Sequence, residues 1–170
     1  ISIPRKLDGI PKSITSSDFV RLFEAIEERS QSPHRDRAIL AILADSGVRR
    51  GGICAMNVHD VDLARHGASV IEKGYKRRWV IWTSYTSALI AKWLAVRPAT
   101  SCEALFTSIT DPQQRLKASG YNQLLKRLKK AAGVKGRVNP HSFRHAFARQ
   151  YLMAGGDLGT LSQLMGHTGS

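Results

Sequence analysis

The sequence predicts a mainly α-helical domain with a small antiparallel β-sheet. Two observations carry that prediction. Apolar residues recur at helical spacing in most stretches between the proline and glycine breaks. One segment, residues 70–82, instead sets two apolar runs around a short charged turn, the pattern of a β-hairpin. The chain has 170 residues, 42% of them apolar, which suits one compact core.

Taken in order, residues 1–12 are interrupted by Pro4, Gly9 and Pro11 and read as an interdomain linker; residues 13–170 read as one domain. Thr15, Ser16, Ser17 and Asp18 offer caps for a helix carrying Phe19, Val20, Leu22, Phe23 and Ile26. A second helix follows Pro33 with Ile39, Leu40, Ile42 and Leu43. Its apolar run breaks between Asp45 and Gly52, which puts Arg49 at the lip of a turn. The hairpin comes next, with Lys73 at its tip.

Residues 84–97 place Leu89, Ile90, Trp93, Leu94 and Val96 on one face and stop at Pro98, so a helix ends there and Trp93 reads as core. Residues 119–132 set Tyr121, Leu124, Leu125 and Leu128 opposite Lys126, Arg127, Lys129 and Lys130 and close at Gly133. Pro140 and His141 open another helix, on which positions 141 and 144 are neighbours. His145 is expected to point elsewhere, as a structural histidine. Gly155, Gly156 and Asp157 end that helix and cap a last one, 158–165, which delivers His167 near its carboxyl end.

Twenty-six Lys and Arg against 13 Asp and Glu give a formal net charge of +13, which calls for a polyanionic partner. The basic residues are spread over several elements rather than along one amphipathic anchor, so nucleic acid is a better partner than a membrane surface. No apolar run reaches membrane-spanning length, and no basic-then-apolar leader stands at Ile1. Cys54 and Cys102 lack the spacing of a zinc site and are expected to be buried free thiols in a reducing compartment. A sheet face rich in aromatics, the usual platform for single-stranded RNA, is not visible.

The chemistry concentrates in the stretch from His141 through Ser142, Phe143 and Arg144 to His145, followed one helix later by Gly166 and His167. A guanidinium brings permanent charge and a planar fork that matches two phosphate oxygens; an imidazole brings a proton that moves near neutral pH. Each residue alone has a plain explanation. A lysine at a hairpin tip is ordinarily a solvated charge, and an arginine at a helix end ordinarily satisfies carbonyls. Together, Arg49, Lys73, His141, Arg144 and His167 form a basic group without the dispersed carboxylates of two-metal hydrolysis, so a magnesium nuclease is disfavoured and neither metal nor cofactor is expected.

These residues resemble, in order, the boxes of the tyrosine recombinases, or phage-type integrases, in their catalytic domain. Gly47-Val48-Arg49 is similar to the first arginine box, Lys73-Gly74 to the hairpin lysine, His141 to His145 to the HxxR box and Gly166-His167 to the last histidine. The resemblance covers most of the chain. It departs from the family at Gly52, since a glutamate usually follows the first arginine closely. It departs again after the last histidine: the nucleophilic tyrosine normally comes two to three helical turns later, and this sequence stops at Ser170. The attacking residue is therefore expected outside this chain, since Tyr75, Tyr85, Tyr121 and Tyr151 do not stand where the resemblance would put it.

The resemblance implies the tyrosine-recombinase (DNA breaking-rejoining) fold and site-specific, metal-independent cleavage and rejoining of DNA through a 3′-phosphotyrosyl intermediate, with this fragment inactive alone. Arg49 and Arg144 would neutralise the phosphate, helped by His141 and His167; His141 would accept the nucleophile's proton and Lys73 would protonate the leaving 5′ oxygen. Arg50, Lys76, Arg77, Arg78, Lys126, Arg127, Lys129 and Lys130 are the candidate DNA contacts. Double-stranded DNA is the implied partner, on which the full-length protein forms a tetramer. The implied setting is cytoplasmic, bacterial or phage-encoded and nucleoid-associated. A type IB topoisomerase-like enzyme and a noncatalytic DNA-binding integrase remnant are the alternatives.

Overall fold

The computed structural model describes residues 14–72 and 74–166. The expected linker at 1–12, Lys73 and His167 lie outside the described residues. Helix α1 spans Ser16–Arg29 and begins with a reciprocal cap: the Asp18 N–H donates to Thr15 Oγ1 at 3.0 Å, and the Thr15 N–H donates to the Asp18 carboxylate at 3.2 Å. Helix α2, Pro33–Ser46, has proline in its first turn, where the missing N–H costs nothing. Its residues from Ala38 to Leu43 are all buried, so it is the central helix, packed against α4 (Ser84–Val96), α6 (Pro140–Met153) and α1.

Gly47 ends α2 with φ +62, a left-handed conformation that glycine adopts freely. A Cβ there would lie 2.7 Å from the Phe147 ring on α6. Gly47→Ala therefore combines backbone strain with overpacking and is expected to cost about 2–4 kcal/mol, read as a lowered unfolding midpoint in denaturant.

The sequence reading took Gly51-Gly52 as part of a turn, but a short helix α3, Arg50–Ala55, forms there, with Arg49 as its N-cap residue. The sheet is also larger than a hairpin. A two-residue strand β1 (Val61–Asp62) pairs antiparallel with β2 (Gly67–Ile71), which pairs antiparallel with β3 (Arg77–Ile81) in the order β1-β2-β3. Two residues are too short to show alternation, so β1 left no trace in the pattern.

Trp93 on α4 is 3% exposed and its indole N–H donates to the Leu105 carbonyl at 2.8 Å, as a core tryptophan requires. Helix α5, Ala118–Ala132, lies on α1 with Tyr121, Leu124, Leu125 and Leu128 inward, closing at Gly133. Tyr121 is 1% exposed, and burial pushes its phenol up, away from any nucleophilic role at neutral pH. Helix α7, Leu158–Leu164, is capped by Asp157. Cys54 and Cys102 are free but only partly buried; Cys54 packs against the margin of the core rather than within it. Among the described residues no helix is long and apolar enough to cross a membrane.

Candidate active site

The site forms where the amino ends of α3 and α6 meet the carboxyl end of α7. Helix α6 is started by a second reciprocal cap. The Ser142 N–H donates to Asn139 Oδ1 at 2.8 Å and the Asn139 N–H donates to Ser142 Oγ at 2.9 Å, with Pro140 in the first turn. Removing that cap by Asn139→Ala is expected to cost about 1 kcal/mol of stability in thermal unfolding, and to loosen His141, two residues on.

Arg144 is 7% exposed and tied at both ends of its fork. One terminal nitrogen donates to the Gly47 carbonyl at 2.6 Å and the other to the Met165 carbonyl at 3.1 Å. It thus joins the end of α2 to the end of α7. Burial first, then the charges of Arg49 and Arg78, pull its pKa down to about 10, with Glu72 pushing back; it stays charged at neutral pH.

Arg49 donates to Glu72 Oε2 at 2.6 Å, and Arg78 donates to Glu72 Oε1 at 2.8 Å. The Glu72 side chain is only 8% exposed. Burial alone would raise its pKa, but the hydrogen bond and charge of Arg78, with the charges of Arg49 and Arg144, outweigh it and hold the carboxyl below its ordinary 4.5. Because the folded value is depressed, the stabilisation is present above that ordinary value and fades as pH falls through the folded one. The gap in unfolding midpoint between the wild type and Glu72→Gln is accordingly expected to be wide at pH 7 and to shrink as the medium is acidified below pH 4.5.

Two placements correct the sequence reading. Arg78 is a candidate DNA contact in the sequence, but its side chain is 14% exposed and its fork serves Glu72 and the Leu164 carbonyl, the latter at 2.6 Å. It holds α7 against the sheet instead of reaching out. His145 was expected to face away from His141. The two rings lie edge to face with Nε2 atoms 2.8 Å apart, because residues four apart share a helix face. The buried stripe of α6 runs through Ser142, Phe143, Arg144 and Ala146 and leaves both histidines outward.

Arg49, Arg50, Asn122, Lys126, Lys129, Arg137, Asn139, His141, Arg144 and His145 line one cleft of about 910 Å³. None of its lining residues is acidic, so its donors suit an anion. Of the sequence-predicted residues, Arg49, His141 and Arg144 are brought together here, with Arg50, Lys126 and Lys129 around them. Arg127 lines a different cleft, beside Arg29 and Arg35. Lys130, Lys76 and Arg77 are exposed outside the cleft. The sequence reading missed Asn122, Arg137 and His145; the spacing of four between His141 and His145, and of four between Asn122 and Lys126, was the available signal.

Residues 12–170 match the Phage integrase family. The chain belongs to that family. This integrase-family domain is 32% identical over 165 residues to the tyrosine recombinase XerC of Thermodesulfovibrio yellowstonii, covering 94% of this chain and 55% of that protein. It is 31% identical over 166 residues to XerC of Staphylococcus aureus, covering 96% of this chain and 55% of that one. The chain thus spans about half the length of the curated relatives it matches. Among solved structures, the XerA recombinase superposes with a TM-score of 0.84 at 30% identity, over 95% of this chain and 58% of that one. The XerH recombinase in its pre-cleavage complex with difH superposes with a TM-score of 0.77 at 20% identity, over 98% of this chain and 50% of that one, a likeness of fold.

Proposed function

We propose that this domain is the catalytic domain of a site-specific DNA recombinase, which cleaves and rejoins duplex DNA without a metal through a 3′-phosphotyrosyl link. The observation that supports it most is the convergence of Arg49 and Arg144, 95 positions apart, on one acid-free cleft beside His141. Two guanidiniums held by fixed partners provide preorganised charge for the nonbridging oxygens of a phosphodiester. His141 accepts the proton of the attacking tyrosine. The tyrosine oxygen bonds to phosphorus, the bond to the 5′ oxygen breaks, and Lys73 returns a proton to that oxygen. His167 completes the hydrogen bonding around the phosphate, and the covalent link stores the bond energy for rejoining.

Duplex DNA lies along the cleft, with Arg50, Lys126 and Lys129 on its backbone. The XerH structure is a complex with its difH substrate, which favours DNA as the partner of this domain too; the whole protein assembles on it as a tetramer. The domain works in the cytoplasm, on bacterial or phage DNA.

The test is a version of the chain extended past Ser170 through a tyrosine, incubated with a nicked duplex and a chelator. A covalent adduct at the 3′ phosphate is expected, and none with the tyrosine replaced by phenylalanine. DNA binding with no adduct would favour a noncatalytic module. Relaxation of supercoils without exchange between sites would favour a topoisomerase.

A further inference from the structure

We infer that Glu72 is the positioning residue of this site: one buried carboxylate that orients Arg49 toward the phosphate and occupies the place a side chain at position 52 would otherwise fill. The inference rests on the recombinase reading above. Three guanidiniums, those of Arg49, Arg78 and Arg144, crowd the region between α3, β2 and α7, and their mutual repulsion needs an anion at its centre. Glu72 is that anion. Each of its oxygens takes one arginine, Oε2 from Arg49 at 2.6 Å and Oε1 from Arg78 at 2.8 Å. The pairs differ in exposure. Arg78 is enclosed, whereas the Arg49 side chain is 39% exposed and lines the cleft. A partly open arginine held on one side by a buried carboxylate has a fixed direction and a free face for a ligand.

Gly52 fits the same arrangement. A Cβ built on it would stand 3.8 Å from Glu72 Oε1 and 2.8 Å from Val48 Cγ2, so position 52 faces the carboxylate across a space that a larger residue would contest. The acid therefore comes from the end of β2 and not from α3, and the helix has glycine where its own acid would project into the same space. Gly166, just before His167, closes the other side: a Cβ there would meet Arg78 Nε at 2.5 Å and Glu72 Oε2 at 2.9 Å. Glu72 thus links α3, the sheet and the last turn of α7 at one point, with Lys73 next in sequence.

The test is a double-variant cycle in the full chain that carries this domain, read as single-turnover DNA cleavage and DNA affinity. Glu72→Gln keeps the shape and removes the charge; it is expected to slow cleavage about 100-fold with affinity changed less than about threefold. In an Arg49→Ala background the same change is expected to have almost no further effect, since its action passes through Arg49. Multiplying losses, or wild-type cleavage by Glu72→Gln, would overturn the inference. If the amide variant unfolds, Glu72→Asp, which retains the charge one methylene short, takes its place in the same cycle with a smaller expected loss and the same criterion. A crystal structure of the variant gives a readout independent of activity: Arg49 is expected to swing from its place on the cleft wall, and an unmoved guanidinium would refute the positioning role. Absence of cleavage by the unmodified protein would instead count against the recombinase reading, leaving that structural readout to decide the role of Glu72.

Discussion

DNA strand cleavage, on the recombinase reading proposed above, is expected to fall about a thousand-fold when Arg49 becomes alanine, with DNA affinity reduced less than about tenfold. Donors preorganised toward developing charge typically contribute two to three orders of magnitude each to the chemical step, and much less to ground-state binding. The split follows from the cleft. Lys126, Lys129 and Arg50 remain to hold the backbone, while the charge that meets the nonbridging oxygens is lost. Arg144→Ala is expected to be at least as damaging, but through two routes. It removes the second guanidinium and also leaves the carbonyls of Gly47 and Met165 without their donor, which costs about 1–3 kcal/mol for each that stays buried. Measuring both variants well below their unfolding midpoints separates the routes: Arg49→Ala, which takes one of the two donors from Glu72, should lower the midpoint, and Arg144→Ala, which strips two carbonyls of their donor, should lower it further. Arg144→Lys is not expected to rescue, since an ammonium lacks the fork that spans those two carbonyls.

The second large effect is on binding. Reversing Lys126 and Lys129 together to glutamate is expected to weaken DNA binding by about 10- to 100-fold at moderate salt, and to reduce the slope of log affinity against log salt by about two. Both lysines line the cleft from the outward face of α5. Lys130→Glu on the same helix is the internal comparison, because Lys130 is exposed outside the cleft and Arg127 turns to another one. Equal losses at 126 and 130 would mean that the whole basic stripe meets DNA and that the cleft does not select its contacts.

Where periodicity was long, the fold was legible. The capped start of α1, the buried run of α2, the two-sided α5 and the Pro140 start of α6 all followed from apolar spacing and cap chemistry. The short elements were not: α3 was hidden by two glycines, which read as a turn, and β1 by its two residues. Among the candidate site residues, Arg49, His141 and Arg144 were found by their order along the chain and by the resemblance it carries. Glu72 was passed over as one more charge in a hairpin turn. A lone acid among Lys73, Lys76, Arg77 and Arg78 in a chain of +13 was a signal in itself, since a carboxylate there has guanidiniums to gather. Arg78 was misplaced for the complementary reason: strand position fixes which face a residue takes, but only the partner, here Glu72 with the end of α7, decides whether an arginine turns in. His145 reads as a structural histidine beside Arg144, yet its spacing of four from His141 puts both imidazoles on one helix face.

The convergence of Arg49, Arg144 and His141 on one phosphodiester is tested most directly by a crystal structure of the domain on duplex DNA. A single phosphate is expected within about 2.7–3.2 Å of nitrogens from both arginines, with His141 beside it and Lys126 and Lys129 along the flanking backbone. A duplex seated on another face, with the cleft open to solvent, would contradict it.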